Sequence, residues 1–380
     1  MSLHRPSRRQ VLRGTTAMAF ASSFGASFAQ GSRVTEQPAV RVTQLMDVSP
    51  SQQALSRDYA TGFRLAFAEL KATAGLNVQL KALEVGDSDA EVQAALKAIG
   101  EDSAQVALVG TVGERLALAS LAHAESSRLE IAHVAPWLAD SRFDANPHLF
   151  ALFASREDQI RHVLKNLATM GVARIGIVYP TAAHATALQP GMAQIAERLK
   201  LEAQVLTAPK GRDLESFGGQ LPASTPYFLL FTGDAIELAL FTRGLARRGV
   251  QRTVVCLSDV DTNTFLQLSP GKGAPIIFTR VVPDPRTSKV AIVRSYRNAL
   301  RRYFDEEPSP TSFAGYLGGR YAGAVIAGAG NEPGRAKLLA QFKRRPAVDL
   351  DGWRFDYAGG SRASSQVSQI LLNSSGNFVG

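Results

Sequence analysis

Cysteine is almost missing from this chain. Among 380 residues there is one, Cys256, so no internal disulfide can brace the fold. It sits in the apolar run Thr253-Val254-Val255-Cys256-Leu257, where a buried, inert thiol is expected. Histidine is scarce too. The six histidines (His4, His123, His133, His148, His162, His184) fall at no metal-ligand spacing, and no His-Glu-x-x-His occurs. Neither Gly-x-Ser-x-Gly nor Gly-x-x-x-x-Gly-Lys-Ser/Thr is present. No metal, cofactor or catalytic residue is therefore expected, and the chain does not read as an enzyme. Past its N-terminal segment it lacks an apolar run near the roughly 20 residues that a membrane helix needs. It also lacks a basic stripe or tail. Lys+Arg number 42 against 33 Asp+Glu, a net +9, but these charges are dispersed, which argues against a nucleic-acid partner.

What is present begins at the N-terminus. Ser7-Arg8-Arg9-Gln10-Val11-Leu12-Arg13, followed by an uncharged stretch from Gly14 to Gln30, reads as a twin-arginine export signal. Ser27-Phe28-Ala29 supplies small residues at −3 and −1, so residues 1–29 are expected to be removed after Ala29 and the remainder to work in the periplasm. The signal takes Arg5, Arg8, Arg9 and Arg13 with it, which lowers the net charge from +9 to +5. The 351 residues left suit two domains.

Downstream, short β-branched runs alternate with amphipathic stretches. Strands are expected at 40–46, 78–85, 105–109 and 130–135, and helices at 57–71, 89–99 and 114–124. The pattern restarts after Phe150. Helix 157–170, strand 174–179, helix 187–199, strands 203–207 and 227–232, helix 235–248 and strand 253–257 follow. A strand at 276–282 ends at Pro283-Asp284-Pro285. Helices at 288–304, 313–327 and 334–342 come next, then a closing strand pair, 353–357 with 366–372. Strands spaced by helices imply parallel sheets covered on both faces, and two such series imply two α/β lobes.

The first helix carries Leu55-Ser56-Arg57-Asp58-Tyr59-Ala60-Thr61-Gly62-Phe63-Arg64-Leu65-Ala66-Phe67. Further on stand Phe278-Thr279-Arg280-Val281-Val282-Pro283-Asp284-Pro285 and Ser312-Phe313-Ala314-Gly315-Tyr316-Leu317. In order and spacing these resemble the type I periplasmic solute-binding proteins of branched-chain amino acid (Leu/Ile/Val-type) ABC importers, from about residue 41 to 378. Ala314 replaces a Glu of that family. The resemblance implies two Rossmann-like lobes joined by three crossovers, near 150–153, 279–282 and 348–351. The first lobe would hold 38–150 with 283–347, and the second 151–282 with 348–380. A small amino acid-like or other polar ligand would lie between them and be captured by hinge closure. The partner would be an ABC permease in the inner membrane, and the protein a monomer. The alternative is a sensing or regulatory binding protein not coupled to transport.

The pocket expected from this resemblance comprises Thr111, Val112, Gly113, Glu114, Trp137, Leu138, Tyr179, His184, Asp234 and Asp259. Glu114 stands where the family has a hydroxyl residue, with Thr111 nearby and the backbone N–H groups of Val112 and Gly113 able to bind an anion. Leu138 replaces a Thr that helps hold the ligand's ammonium. Trp137 is either a stacking platform or interlobe packing. For Glu114, Asp234, Asp259 and Asp261 two readings stay open: an acidic cleft for a cationic or multiply hydrogen-bonded ligand, or acids that cap helices and face water.

Overall fold

In the computed structural model the described residues are 39–247, 251–269, 273–330 and 332–379. The expected export signal and its cleavage point lie outside them. The first series runs β1 (Val40–Asp47), α1 (Gln53–Ala74), β2 (Val78–Val85), α2 (Asp89–Glu101), β3 (Gln105–Val109), α3 (Glu114–Ser126), β4 (Ala132–Val134) and β5 (Leu149–Phe150). These strands form one parallel sheet in the order β2-β1-β3-β4-β5. Every residue of the central β3 is buried, as a strand covered on both faces requires.

The second series runs α4 (Arg156–Thr169), β6 (Arg174–Tyr179), α5 (Ala182–Arg198), β7 (Glu202–Thr207), α6 (Leu214–Gly219), β8 (Phe228–Phe231), α7 (Ala235–Arg247), β9 (Thr253–Cys256), α8 (Thr262–Leu268) and β10 (Ile276–Arg280). Its parallel strands repeat the same order as β7-β6-β8-β9-β10. The strand order therefore reverses at β1/β3 in one lobe and at β6/β8 in the other. Loops leaving the carboxyl ends of the strands diverge at such points and leave a crevice.

After β10 the chain returns to the first lobe as α9 (Ala291–Tyr303), α10 (Pro310–Gly328) and α11 (Arg335–Lys343). Tyr296, Phe313, Tyr316 and Phe342 share a core with Tyr59 and Phe63 of α1. The crossing of α1 and α10 is a backbone-to-backbone contact. A Cβ on Gly62 would lie 2.0 Å from the Ser312 carbonyl oxygen, and one on Gly315 would lie 2.1 Å from that of Tyr59. The two helical motifs that carry the family resemblance thus meet each other. They are packing elements. Polar groups fasten the rim: Ser309 caps α10 and donates to Asp58, while Tyr316 and Arg320 both donate to Glu69.

The C-terminal part departs from expectation. β11 (Val348–Leu350) pairs with β12 (Trp353–Phe355) as a separate antiparallel ribbon. β13 (Ser368–Leu372) and β14 (Phe378–Val379) add antiparallel to the β10 edge of the second sheet. Residues 353–357 and 366–372 are therefore not a closing pair. Leu350, Trp353, Phe355, Tyr357 and Ala363 belong to the first lobe's core, with Phe355 edge-on to Phe153 and Tyr321 at 5.8 Å. Aromatic burial keeps the chain in the first lobe past the expected crossover at 348–351, and it rejoins the second sheet only at β13.

Candidate functional site

The carboxyl-end loops of the two sheets face one another across a cavity of about 420 Å³. From the first lobe it is lined by Ser51, Gln52 and Leu55 after β1, Gly113 and Glu114 after β3, and Trp137, Leu138 and Ala139 after β4. The second lobe contributes Arg156 from α4, His184, Ala187 and Leu188 from α5, Thr232, Gly233, Asp234 and Glu237 after β8, and Asp259 after β9. Four carboxylates and one guanidinium border a partly apolar hollow. The volume lies within the usual range for small-molecule sites.

One wall is an ion cluster that spans the lobes. Arg156 Nη2 lies 2.5 Å from Glu114 of the first lobe and 3.7 Å from Asp259 of the second. Arg142 approaches the far oxygen of Glu114 at 3.9 Å. Arg156 is the first residue of α4, behind a capping box in which Ser155 and Asp158 satisfy each other's N–H groups. A cation at a helix N-terminus opposes the macrodipole, and the two carboxylates offset that cost. Desolvation within the cleft raises the Asp259 carboxyl above its ordinary value although its side chain stays 39% exposed; Arg156 pulls it down and Glu114 pushes it up. On Arg156 burial works against the charge, yet Asp259 and Glu114 outweigh it and hold the guanidinium firmly protonated.

The opposite wall is an acidic pair at the start of α7. Asp234 accepts from the Glu237 N–H at 2.9 Å, and Glu237 accepts from the Asp234 N–H at 2.9 Å. This reciprocal cap fixes both side chains and uses one oxygen of each. Burial raises the Glu237 carboxyl, with the Asp234 N–H opposing, Asp234's charge adding and nearby His184 opposing. His184 Nδ1 has no hydrogen-bond partner among the described residues.

Seven of the ten expected residues line this cavity: Gly113, Glu114, Trp137, Leu138, His184, Asp234 and Asp259. Three do not. Thr111 is fully buried and bonds His133 in the core. Val112 is buried and bridges Trp137 in β fashion. Tyr179 is fully buried at the end of β6, where burial pushes its hydroxyl pKa up to about 12. Of the two backbone N–H groups expected to grip an anion, that of Gly113 donates to the Trp137 carbonyl at 3.0 Å. Trp137 packs between Tyr59 and Phe153 at 5.5 Å within the first lobe's core and also lines the cavity. Asp261 caps α8 and lies outside this cavity. Cys256 is buried, which pushes its thiol pKa well up.

Sequence reasoning missed Arg156, Glu237 and the loop after β1. Two of these had a signal. Ser155-Arg156-Glu157-Asp158 and Asp234-Ala235-Ile236-Glu237 both carry the capping-box spacing, and an arginine at the first helical position is out of place by charge. Among the described residues no group of three or more His, Cys, Asp or Glu is arranged to hold a metal.

The crossovers behind the cavity are held by Arg362. Only 8% exposed, it donates to the carbonyls of Leu138 (2.7 Å), Asp140 (2.8 Å) and Phe153 (3.0 Å) and to the Asp144 carboxylate at 2.8 Å. Gln159 of α4 accepts from the Ser258 N–H and the Thr279 hydroxyl, tying a helix of the second lobe to the end of β10.

Comparison with known proteins places this architecture. A family model described as periplasmic binding protein matches residues 39–369. No curated protein matches the chain in sequence. Among solved structures, a substrate-binding periplasmic protein from Ralstonia solanacearum has a TM-score of 0.78 at 21% identity, over 90% of this chain and 99% of its own. LivJ, a branched-chain amino acid transporter substrate-binding protein from Streptococcus pneumoniae solved with isoleucine, gives 0.73 at 14% identity, over 90% and 98%. A fatty acid ABC transporter substrate-binding protein from Thermomonospora curvata gives 0.73 at 15%, over 90% of each chain. An amino acid and a fatty acid are thus served by one fold, so the ligand must be argued from the lining residues. The chain belongs to the periplasmic binding protein family, with the type I fold of its leucine/isoleucine/valine-binding members.

Proposed function

We propose that this chain is the substrate-binding component of an ABC importer of the branched-chain amino acid/amide type. It is exported by the twin-arginine route, works in the periplasm as a monomer, and captures a small polar ligand by hinge closure before presenting it to an inner-membrane permease. The observation that carries this reading is the 420 Å³ cavity between two lobes whose ligand-facing loops all leave the carboxyl ends of parallel strands. Such a cavity can bury a ligand when the lobes approach, and a ligand that prefers the closed form shifts the population toward it.

Two measurements test this. A ligand at a hundred times its Kd stabilises the folded state by about 2.7 kcal/mol, so the mature protein should gain thermal stability with some member of a broad metabolite panel. The same compound should contract the protein in small-angle scattering. A panel that shifts nothing, together with protein that copurifies with no small molecule, contradicts the reading. Replacing Arg8-Arg9 by Lys-Lys should hold the precursor in the cytoplasm, and unchanged export would refute the proposed route.

A further inference from the structure

Away from the cleft, a second cavity of about 170 Å³ opens at the second crossover. Its walls are Leu266 of α8, Arg280 at the end of β10, Ile370 of β13, Phe378 of β14 and Pro310 at the start of α10 in the first lobe, with residues 284–287 closing one side. It shares no lining residue with the interlobe cavity. We infer that this is a second binding site, and that its ligand is a carboxylate carried on a single six-membered ring. The inference does not rest on the reading of the cleft.

The balance of donors gives the charge. Asp284 is the one carboxylate in the lining, and it already accepts from the Arg286 N–H at 2.7 Å, the Thr287 N–H at 3.0 Å and the Arg280 guanidinium. Burial would raise its carboxyl, but these donors and the Arg280 charge hold it below its ordinary value. The two guanidiniums are far from used. The Arg280 side chain, 14% exposed, donates to described residues only through Nη1. That of Arg286 donates only through Nε, to the Pro308 carbonyl at 3.2 Å. A guanidinium carries five N–H donors in a planar fork, so the lining holds two cations against one engaged anion and has donors to spare. That surplus favours an anion, and the fork suits a carboxylate. Volume and walls give the rest of the ligand. An apolar void of about 150 Å³ can hold a benzene molecule, so this cavity has room for one ring and little more. The Arg280 guanidinium lies 6.0 Å from the centroid of the Phe378 ring. A carboxylate on that guanidinium therefore leaves its ring beside Phe378, Ile370 and Leu266.

The probes are benzoate and cyclohexanecarboxylate, each with its carboxamide and its aminomethyl analogue as neutral and cationic counterparts. In calorimetry on the purified protein at least one acid should bind with a Kd of about 1 mM or tighter. It should bind at least about ten-fold more tightly than its two counterparts, the margin that hydrogen bonds to a charged group produce. Arg280→Gln keeps an amide donor for Asp284, and Asn263→Trp places an indole in the cavity from an exposed position. Both variants should fold, and each should weaken binding of the acid about ten-fold or more. If Arg280→Gln does not fold, Asn263→Trp alone decides. Silence from both acids overturns the inference, as does a carboxamide or amine that binds as tightly as its acid. Binding retained in either folded variant overturns it too. Each of these results leaves the reading of the cleft standing.

Discussion

Two arginines near the cleft are buried to similar extents and are used in opposite ways. The Arg362 side chain, 6% exposed, is surrounded by three backbone carbonyls and the equally buried Asp144 carboxylate. Carbonyls of a folded backbone cannot leave, so this cluster welds the loop after β4 to the first and third crossovers. The Arg156 side chain, 13% exposed, is held by two carboxylates on different lobes that both border the cavity, and each keeps more than a third of its side-chain surface open or nearly so. Side-chain partners across an interface can be exchanged. The first arginine is tied to main chain, and the second is tied only to side chains from both lobes, so under the proposed hinge closure the second is the contact that would change.

The sharpest way to break this contrast is to remove the welded guanidinium. Arg362→Met leaves Asp144 charged and buried without its partner, together with three carbonyls stripped of donors. A loss of about 4 kcal/mol is expected, read from urea unfolding as a fall in midpoint. A loss below about 1 kcal/mol would place Arg362 with the exchangeable class. Next in size is Gly315→Ala at the α1/α10 crossing. Its Cβ would fall 2.1 Å from a main-chain oxygen that no side-chain rotation can move aside, so about 3 kcal/mol should be lost, with ligand affinity preserved because the crossing lies outside the cavity. Weakened binding without lost stability would show that the crossing tunes the site.

The same contrast explains what was legible in the sequence. Alternating strand and helix periodicities revealed both sheets, and the motifs around Gly62 and Gly315 carried the family resemblance, because the glycine that a main-chain contact demands is visible within each stretch by itself. The aromatic ribbon at Trp353 and Phe355 was misplaced because its partners, Phe153 and Tyr321, are far away in sequence. Of the ten residues expected from the resemblance, seven line the cavity. Thr111 lies elsewhere because a hydroxyl two residues past β3 can point to either side of the sheet, and His133 on the neighbouring strand captures it. Arg156 failed because its role depends on carboxylates supplied by two other loops, one in each lobe.

A third prediction concerns titration on the fixed side. Burial depresses the pKa of His133 to about 4. The unfolded histidine binds its proton near pH 6.5, so the stability that the neutral core imidazole supplies is complete above pH 6.5. About 3 kcal/mol of it is lost as pH falls toward 4. Asp58 runs the other way. Burial raises it to about 6, opposed by the Ser309 hydroxyl and reinforced by Asp261 and Glu306. Its folded form keeps a proton that the unfolded form sheds near 3.8, so stability falls by about 2 kcal/mol as pH rises through that window, after a discount for partial exposure. The two slopes nearly cancel between pH 4 and 6. Asp58→Asn, whose amide oxygen can still accept from Ser309, should gain about 2 kcal/mol at pH 7 and expose the acid sensitivity that His133 causes. Parallel wild-type and variant profiles from pH 4.5 to 7 would contradict the assignment.

The smallest expected effect on stability belongs to the arginine held by side chains of both lobes. In Arg156→Met the thioether fills much of the guanidinium's stem volume, and Glu114 and Asp259, each partly exposed, regain water when they lose their partner. The cost to unfolding free energy should be only about 1 kcal/mol, nearer the range of surface pairs than of buried ones. The effect should appear instead in the equilibrium between lobes. With the cation gone, Glu114 and Asp259 face each other across the cleft as like charges, so the ligand-free variant should be more open, with a larger radius of gyration in scattering. Raising the salt concentration should narrow that difference, because a water-filled cleft screens the repulsion. If the variant instead unfolds as readily as Arg362→Met and its radius is unchanged, Arg156 is a second weld and the contrast between the two arginines is lost.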